Sequence, residues 1–363
     1  MTASVLTEAF ADYARRLTEA SEAIGAKAPH LDPIDVAEGH RLFLRYLGIG
    51  LDRFVEHSDP RFPAFYSASR DGVRKYAGDS PGQLYDTAPL SADHEYVVTG
   101  NLHGVELIEL GIYSGDLSGR NNTPRRLIAH LTEAEIDTDA DGNFRLSLGR
   151  GQGGTNHLHL APDTSNLSVR RYLRDPLTDR PAPLRIQRIG ADIVPPALTA
   201  EDLSSRLRLA GAFALTNLEM WADWTEKVMA AKPNTITPMA DSGDIYTPAG
   251  HRYLDGSYDL PDPRSCLLIE FPAPPADSYW SLVPMNFWME SMEWRFGHEV
   301  FASSFSTVPG PDGVIRLAVG EEDPGLPHTT WLRTMGHRQG LVAFRFARLE
   351  GELPEVACRV VTR

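Results

Sequence analysis

Hydrophobic residues recur at three- and four-residue steps near the start of the chain, at Leu6, Phe10, Tyr13, Leu17 and Ile24, with acids and arginines between them. That spacing sets one apolar stripe on a 3.6-residue repeat and predicts an amphipathic helix. A second helix is predicted over DVAEGHRLFLRYLGIGLDRFVEH, with Pro33 just ahead of it. Pro60 and Pro63 in SDPRFPAFY end the helical pattern, because proline has no amide hydrogen to continue the ladder.

From Tyr96 the texture changes. EYVVTGNLHGVELIELGIYSGDL, RRLIAHLTEAEIDTDADGNFRLSLG, LSVRRYLRD and APLRIQRIG set β-branched and aromatic residues between turn residues, which predicts consecutive strands. A third helix is predicted over LTAEDLSSRLRLAGAFALTNLEMWADWTEKVMAAKP, with Leu203, Leu207, Ala214, Leu218, Trp221 and Val228 as its stripe. Thr199 and Asp202 form a capping-box pattern at its start, and Pro233 stops it. SCLLIEFPAP, YWSLVPMNFW, GVIRLAVG and LVAFRFARL read as strands again. In the last of these, Val342, Phe344 and Phe346 alternate with Leu341, Ala343 and Arg345, giving one arginine-bearing face. The expected fold is α+β, mainly β, with two antiparallel β-sandwich regions, an N-terminal helical segment and a helix between the regions. The expected division is 1–80 helical segment, 81–195 first β region, 196–235 connecting helix and 236–363 C-terminal sandwich.

A formal net charge of -14 over 363 residues disfavours nucleic acid or an anionic membrane as partner, since both would be repelled. No apolar run of about 18 residues predicts a membrane span. The acid-containing start does not read as a signal peptide, so a cytoplasmic protein is expected. Cys266 and Cys358 sit in apolar runs without metal or redox spacing and are expected as reduced, buried thiols. No G-x-S-x-G elbow, phosphate loop or dinucleotide fingerprint occurs, which disfavours the usual serine hydrolases and nucleotide enzymes.

Four stretches carry candidate chemistry. DTDADGN, residues 137 to 143, opens like a calcium loop, but its twelfth position is Leu148 instead of a bidentate acid, so a turn is expected. GRGQGGTNHLHLAPD holds His157 and His159 two residues apart, so on a strand both imidazoles face one side. The preceding glycines resemble the cupin pattern, and His103 or Asp163 could complete a divalent-metal set. DPGLPHTTWLRTMGHRQG contains an Asp323-Pro324-Gly325 turn, Trp331 as an anchor, and His337 bracketed by Gly336 and Gly340. An ordered loop bordering a pocket is expected there, with His337 as a titratable group partnered by Asp323, Arg338 or Arg345. In NFWMESMEWR, strand alternation would put Asn286, Trp288 and Glu290 on one face as a ligand wall, with Glu293 as a further polar handle.

NFWMES together with DGVIRLAVGEEDPGLPHTTWLRTMGHRQGLVAFRF resembles the C-terminal signature of the domain-of-unknown-function 1214 family: a DPG turn, an Asn-Trp-Leu-Asp-Thr-like stretch, Gly-His and a closing strand with arginine. YAGDSPGQLYDTAPL, YVVTGNLHG, GIYSGD, DADGNFRLSL and LSVRRYLRD are similar to the companion part of such proteins, so the resemblance runs from about Tyr76 to Arg345. It implies jelly-roll-like β domains, a carbohydrate-related role, and relatives carrying a domain-of-unknown-function 1254 region. His328 stands where the pattern has Asn, Arg333 where it has Asp, and NHLHL replaces a more apolar stretch.

The leading functional expectation is an enzyme acting on a small hydroxylated or carbohydrate-like substrate by hydrolysis, elimination or isomerisation. Glu290 and His337 would exchange protons. Tyr113, Asn286, Trp288 and Trp331 would line a cleft between the β regions, and Arg345 would hold an anionic group. No cofactor is required by this reading. Two alternatives are a non-catalytic small-molecule-binding sandwich and a cupin-like metal enzyme using His157 and His159 with His103. Homo-oligomerisation is left open.

Overall fold

The structure, a computed structural model, describes residues 2–69, 73–115, 125–151, 153–239 and 250–362. Three helices form where the apolar stripes predict them: α1, Thr2–Lys27; α2, Pro33–Leu51; and α3, Ala200–Ala231. Pro33 opens α2 at a position where its missing amide hydrogen is not needed. At the start of α3 the Asp202 amide donates to Thr199 Oγ1 at 3.1 Å, so the predicted cap is made. Among the described residues, no helix is long and apolar enough to cross a membrane.

The strands of the first β region are β1 (Tyr66–Ser67), β2 (Gln83–Pro89), β3 (Tyr96–Asn101), β4 (Leu107–Ser114) and β5 (Leu127–Thr132). They continue with β6 (Asn143–Gly149), β7 (His157–His159), β8 (Thr164–Tyr172) and β9 (Arg185–Arg188). The second region holds β10 (Ile236–Pro238), β11 (Arg252–Asp259), β12 (Ser265–Pro272), β13 (Tyr279–Met285) and β14 (Ala302–Ser303). It closes with β15 (Val314–Gly320), β16 (Thr330–Arg333), β17 (Gln339–Ala347) and β18 (Ala357–Thr362).

Contacts divide the chain into two units. The first comprises Met1–Ile24, Phe43–Arg74 and Gly82–Leu218; the second comprises Gly25–Leu42, Lys75–Pro81 and Glu219–Arg363. In the first, the sheet β1-β2-β8-β4-β5 packs on the sheet β7-β6-β3-β9. Ile108, Leu110 and Ile112 from one layer meet Val98, Phe144 and Leu146 from the other in one buried cluster. In the second, β10-β11-β17-β13-β14 packs on β16-β15-β12-β18 around Trp280, Phe344 and Phe346 from one layer and Phe271, Ile269 and Leu317 from the other. Both units are therefore β-sandwiches, mostly antiparallel, with β6–β7 and β15–β16 as parallel pairs.

The units do not follow chain order, and α3 is shared between them, with the boundary after Leu218. Residues 25–42 and 75–81, which precede the first β region or lie before its main strands, belong with the C-terminal unit. The alternation read in β17 holds: Val342, Phe344 and Phe346 enter the sandwich core. Leu341 and Ala343 pack on the other face with Val228 and Trp224 of α3. Cys266 is buried, Cys358 half-buried, and both are free thiols.

Candidate functional site

The C-terminal unit buries a cluster of charged side chains around His337. Glu321 organises the turn that delivers this residue: its carboxylate accepts from Arg333, at 2.6 and 2.9 Å, and from the Gly336 amide at 2.7 Å. Gly336 at φ +92° takes a conformation that a Cβ would oppose, and the His337 amide then closes the turn on the Thr334 carbonyl at 3.1 Å. The imidazole that results is only 2% exposed.

Helix α2 supplies its partners. Asp35 and Glu38 lie three residues apart, so both face the same side of the first turns. His337 Nδ1 is 3.0 Å from Asp35 Oδ1, and Nε2 is 3.2 Å from Glu38 Oε2. Burial alone would push the imidazolium towards deprotonation. The hydrogen bonds to Asp35 and Glu38 and the charges of both carboxylates outweigh it and hold the pKa up to about 9. Burial likewise opposes ionisation of Glu38, but the hydrogen bond and charge of His337, the Asn286 amide and the Arg41 charge bring it down to about 2. The triad thus sits as one imidazolium between two carboxylates, donating from both ring nitrogens.

Asn286 extends the network. Its Nδ2 donates to Glu38 Oε2 at 2.6 Å and lies 3.4 Å from Glu290 Oε2. Its Oδ1 accepts the backbone amides of Trp288 and Glu290, each at 3.0 Å. These bonds wind residues 286–290 into a tight loop with Met289 at φ +58°, so the expected strand face does not exist. An asparagine side chain that satisfies its own neighbours' amides competes with strand pairing, and here it wins. Glu290 is 1% exposed, with Arg41 Nη2 3.8 Å from its carboxylate. Trp288 is sealed as well, donating from Nε1 to the Asp35 carbonyl at 2.6 Å. The same loop is pinned by residues 75–81: Asp79 accepts from the Ser291 amide at 2.9 Å and its hydroxyl at 2.6 Å, and Lys75 donates to the Ser291 and Met292 carbonyls.

Asn286, Trp288, Glu290 and His337 therefore do come together. His337, however, takes Asp35 and Glu38 as its charge partners, where Asp323, Arg338 or Arg345 was expected. Arg338 pairs with Asp32 at 2.8 Å, and Asp323 accepts the Gly325 amide at 2.8 Å within its own turn. Trp331 is half-buried on β16, with Nε1 donating to the Gly320 carbonyl at 2.9 Å, a framework contact. Tyr113 belongs to the first unit, where it is buried on β4 beneath the Arg125 guanidinium, 4.1 Å from the ring centroid.

The histidines proposed for metal do not converge. His157 spends both ring nitrogens locally, on Ser147 Oγ at 2.9 Å and the Gly151 carbonyl at 3.0 Å. His159 and His103 are exposed, and Asp163 pairs with Arg126 at 2.6 Å. Among the described residues, the one trio of potential ligands drawn together is Asp35, Glu38 and His337, with one atom of each within 4.8 Å of the others. Asp139 turns its carboxylate onto the amides of Asp141 and Asn143, at 2.9 and 2.8 Å, so DTDADGN forms the expected turn. Sequence reading missed Asp35 and Glu38 as site residues. The signal available for them was only a pair of acids at one helix N-terminus.

Over its full length the chain resembles the crystal structure of an uncharacterised protein from Burkholderia cenocepacia at a TM-score of 0.91 and 27% identity, covering 100% of this chain and 99% of that one. A structure from Vibrio parahaemolyticus matches at 11% identity and a TM-score of 0.47, over 87% of this chain and 95% of the other. No curated protein matches the chain. The family model described as protein of unknown function (DUF1214) matches residues 255–348, the stretch that contributes Asn286, Glu290, His337 and Arg345. That match lies wholly within the C-terminal unit.

Proposed function

We propose that this is a small-molecule-binding protein whose C-terminal unit recognises a hydroxylated or carbohydrate-like compound at the solvent edge of the His337 cluster. The observation that carries the reading is the position of Glu38. Among the cluster's carboxylates it keeps the most solvent contact, at 17% exposure, and its neighbour Arg41 is half-exposed and 2.7 Å away. A hydroxyl group can donate to a carboxylate held ionised and accept from a guanidinium beside it, which is how such pairs read hydroxyls. His337 fixes that charge from behind. A jelly-roll-like sandwich, as the family resemblance implies, is a rigid frame of the kind on which such a site is kept in place.

Proton transfer by Glu290 and His337, the leading expectation from sequence, has less support. Both side chains are sealed, and the proton on His337 sits well above neutral pH between two acceptors. A general acid–base is most effective with a pKa near the working pH. An enzymatic reading keeps one favourable observation, that Asp35 orients the ring through Nδ1 as the acid of a hydrolytic triad does; Nε2, which a triad presents to a nucleophilic hydroxyl or thiol, is taken here by Glu38.

The test is native mass spectrometry of freshly purified protein, followed by thermal-shift titration with monosaccharides, sugar acids and polyols. The binding reading expects a compound retained or bound unchanged, with at least tenfold weaker affinity in Glu38→Gln. Conversion of the compound that is abolished in His337→Gln would favour the enzymatic reading. No shift with any of these compounds, and nothing retained, would remove both.

A further inference from the structure

Among the described residues, the outer face of the β11-β17-β13 sheet holds a cation without a counter-ion. Arg345 on β17 is only 7% exposed, and its Nη2 donates to the Gly78 carbonyl. Its Nη1, fully buried, has no hydrogen-bond partner, and among the described residues the guanidinium makes no ion pair. Directly opposite on β13 stands Ser281, 0% exposed, whose Oγ is also without a partner. Residues paired across neighbouring strands project from the same face, so the unpaired N–H groups and the unpaired hydroxyl point to one side of the sheet. Ser303, paired with Ser281 on β14, adds a second hydroxyl to that row. Tyr253 flanks Arg345 on β11.

Buried polar groups are satisfied almost without exception, and a buried charge is normally paired. Two adjacent donors left open, one of them cationic, describe an anion site. From this geometry we infer that Arg345 and Ser281 bind the carboxylate of a small organic acid. Arg345 Nη1 supplies two N–H donors and Ser281 one O–H. One guanidinium balances one negative charge, so a monocarboxylate leaves the site neutral, whereas a phosphate dianion would leave excess charge in a protein of net charge -14. On the same face Val283 and Ala343 form the next cross-strand pair, with Met289 in their cluster, and the Asp255 carboxylate across from Ala343 on β11 is already neutralised by Lys232. Gly78 completes the wall. At φ +72° it brings its carbonyl onto Arg345, and a Cβ there would stand 3.5 Å from Nη2 and 3.6 Å from Met289 Cε.

This site does not rest on the Glu38 reading. Ser281 lies five residues before Asn286, about 17 Å along an extended strand.

Isothermal titration of the full chain at fixed ionic strength tests it, using sodium acetate, sodium lactate and inorganic phosphate, with sodium chloride as the reference. Saturable binding of acetate or lactate is expected, weakened at least tenfold in Arg345→Gln and about three- to tenfold in Ser281→Ala. The serine variant keeps the test alive should the arginine variant not fold. Equal affinity in wild type and Ser281→Ala, or a response to the carboxylates no larger than to chloride, would overturn the assignment. Phosphate binding more tightly than either acid would overturn the choice of a monocarboxylate. A Glu38→Gln variant should bind acetate as wild type does, which separates the failure of this site from failure of the hydroxyl-binding one.

Discussion

Gly39 lies flat against the indole of Trp288: a Cβ built on Gly39 would fall 2.5 Å from Cζ2 and 2.6 Å from Cε2. Those separations are shorter than any packed carbon contact, so helix α2 reaches the 286–290 loop only because position 39 has no side chain. Gly39→Ala should destabilise the C-terminal unit by about 1–3 kcal/mol, the usual scale for overpacking, despite alanine's higher helix propensity. Urea denaturation measures this. In a Trp288→Leu background the same change should cost far less, since the ring it collides with is gone.

His337→Gln should be the most damaging single change in the cluster. It removes the cation from between Asp35 and Glu38 and leaves two facing carboxylates, one of them fully buried. Breaking a buried ion pair from one side costs about 3–5 kcal/mol. Adding Asp35→Asn to that variant should recover part of the loss, because it removes one of the stranded charges. Equilibrium unfolding of the three proteins decides the matter, and equal stability of wild type and His337→Gln would contradict it.

The cluster also sets a pH dependence. His337 titrates at about 9 in the folded chain against an ordinary 6.5, so folding favours its protonated form. Its contribution is complete below pH 6.5, declines as pH rises and is gone above about 9. At about 1.4 kcal/mol per pKa unit, the loss is on the order of 3 kcal/mol. Glu38 has the opposite sign: held at about 2 against 4.5, it contributes fully above pH 4.5 and fails as pH falls towards 2. Stability from this pair should therefore be greatest between pH 4.5 and 6.5. Thermal melting across pH 6 to 10 should show the alkaline decline in wild type and a flatter profile in His337→Gln.

Asp139 offers a contrasting test at the surface. Its carboxylate receives two backbone amides of its own turn, so Asp139→Ala should lower the melting temperature measurably but by less than any change in the His337 cluster. Calcium should leave the melting temperature of wild type unchanged, because Leu148 occupies the position where a calcium loop needs its bidentate acid.

Much of the architecture was legible in the sequence, because it is written in local periodicity. The stripe from Leu203 to Val228 and the Thr199 cap give α3, and the alternation Val342, Phe344, Phe346 gives the two faces of β17. The site was legible only in part. Asn286, Trp288, Glu290 and His337 stand out by residue type. Asp35 and Glu38, about 300 residues earlier, do not, since pairing between distant charges leaves no periodic trace. The 286–290 segment was misread because alternating polar and aromatic residues suit a strand equally well. What decides against a strand is the Asn286 amide turning back on its own backbone.

The stretch that matches the family model does not contain everything its own ions need. His337 and Ser291 lie inside residues 255–348, yet their carboxylates come from Asp35, Glu38 and Asp79. An excised fragment limited to that stretch would hold an imidazole with no acid to keep its proton and a loop stripped of its clamps. Expression of such a piece would start from an incomplete fold, because the unit it belongs to is assembled from three separated lengths of chain.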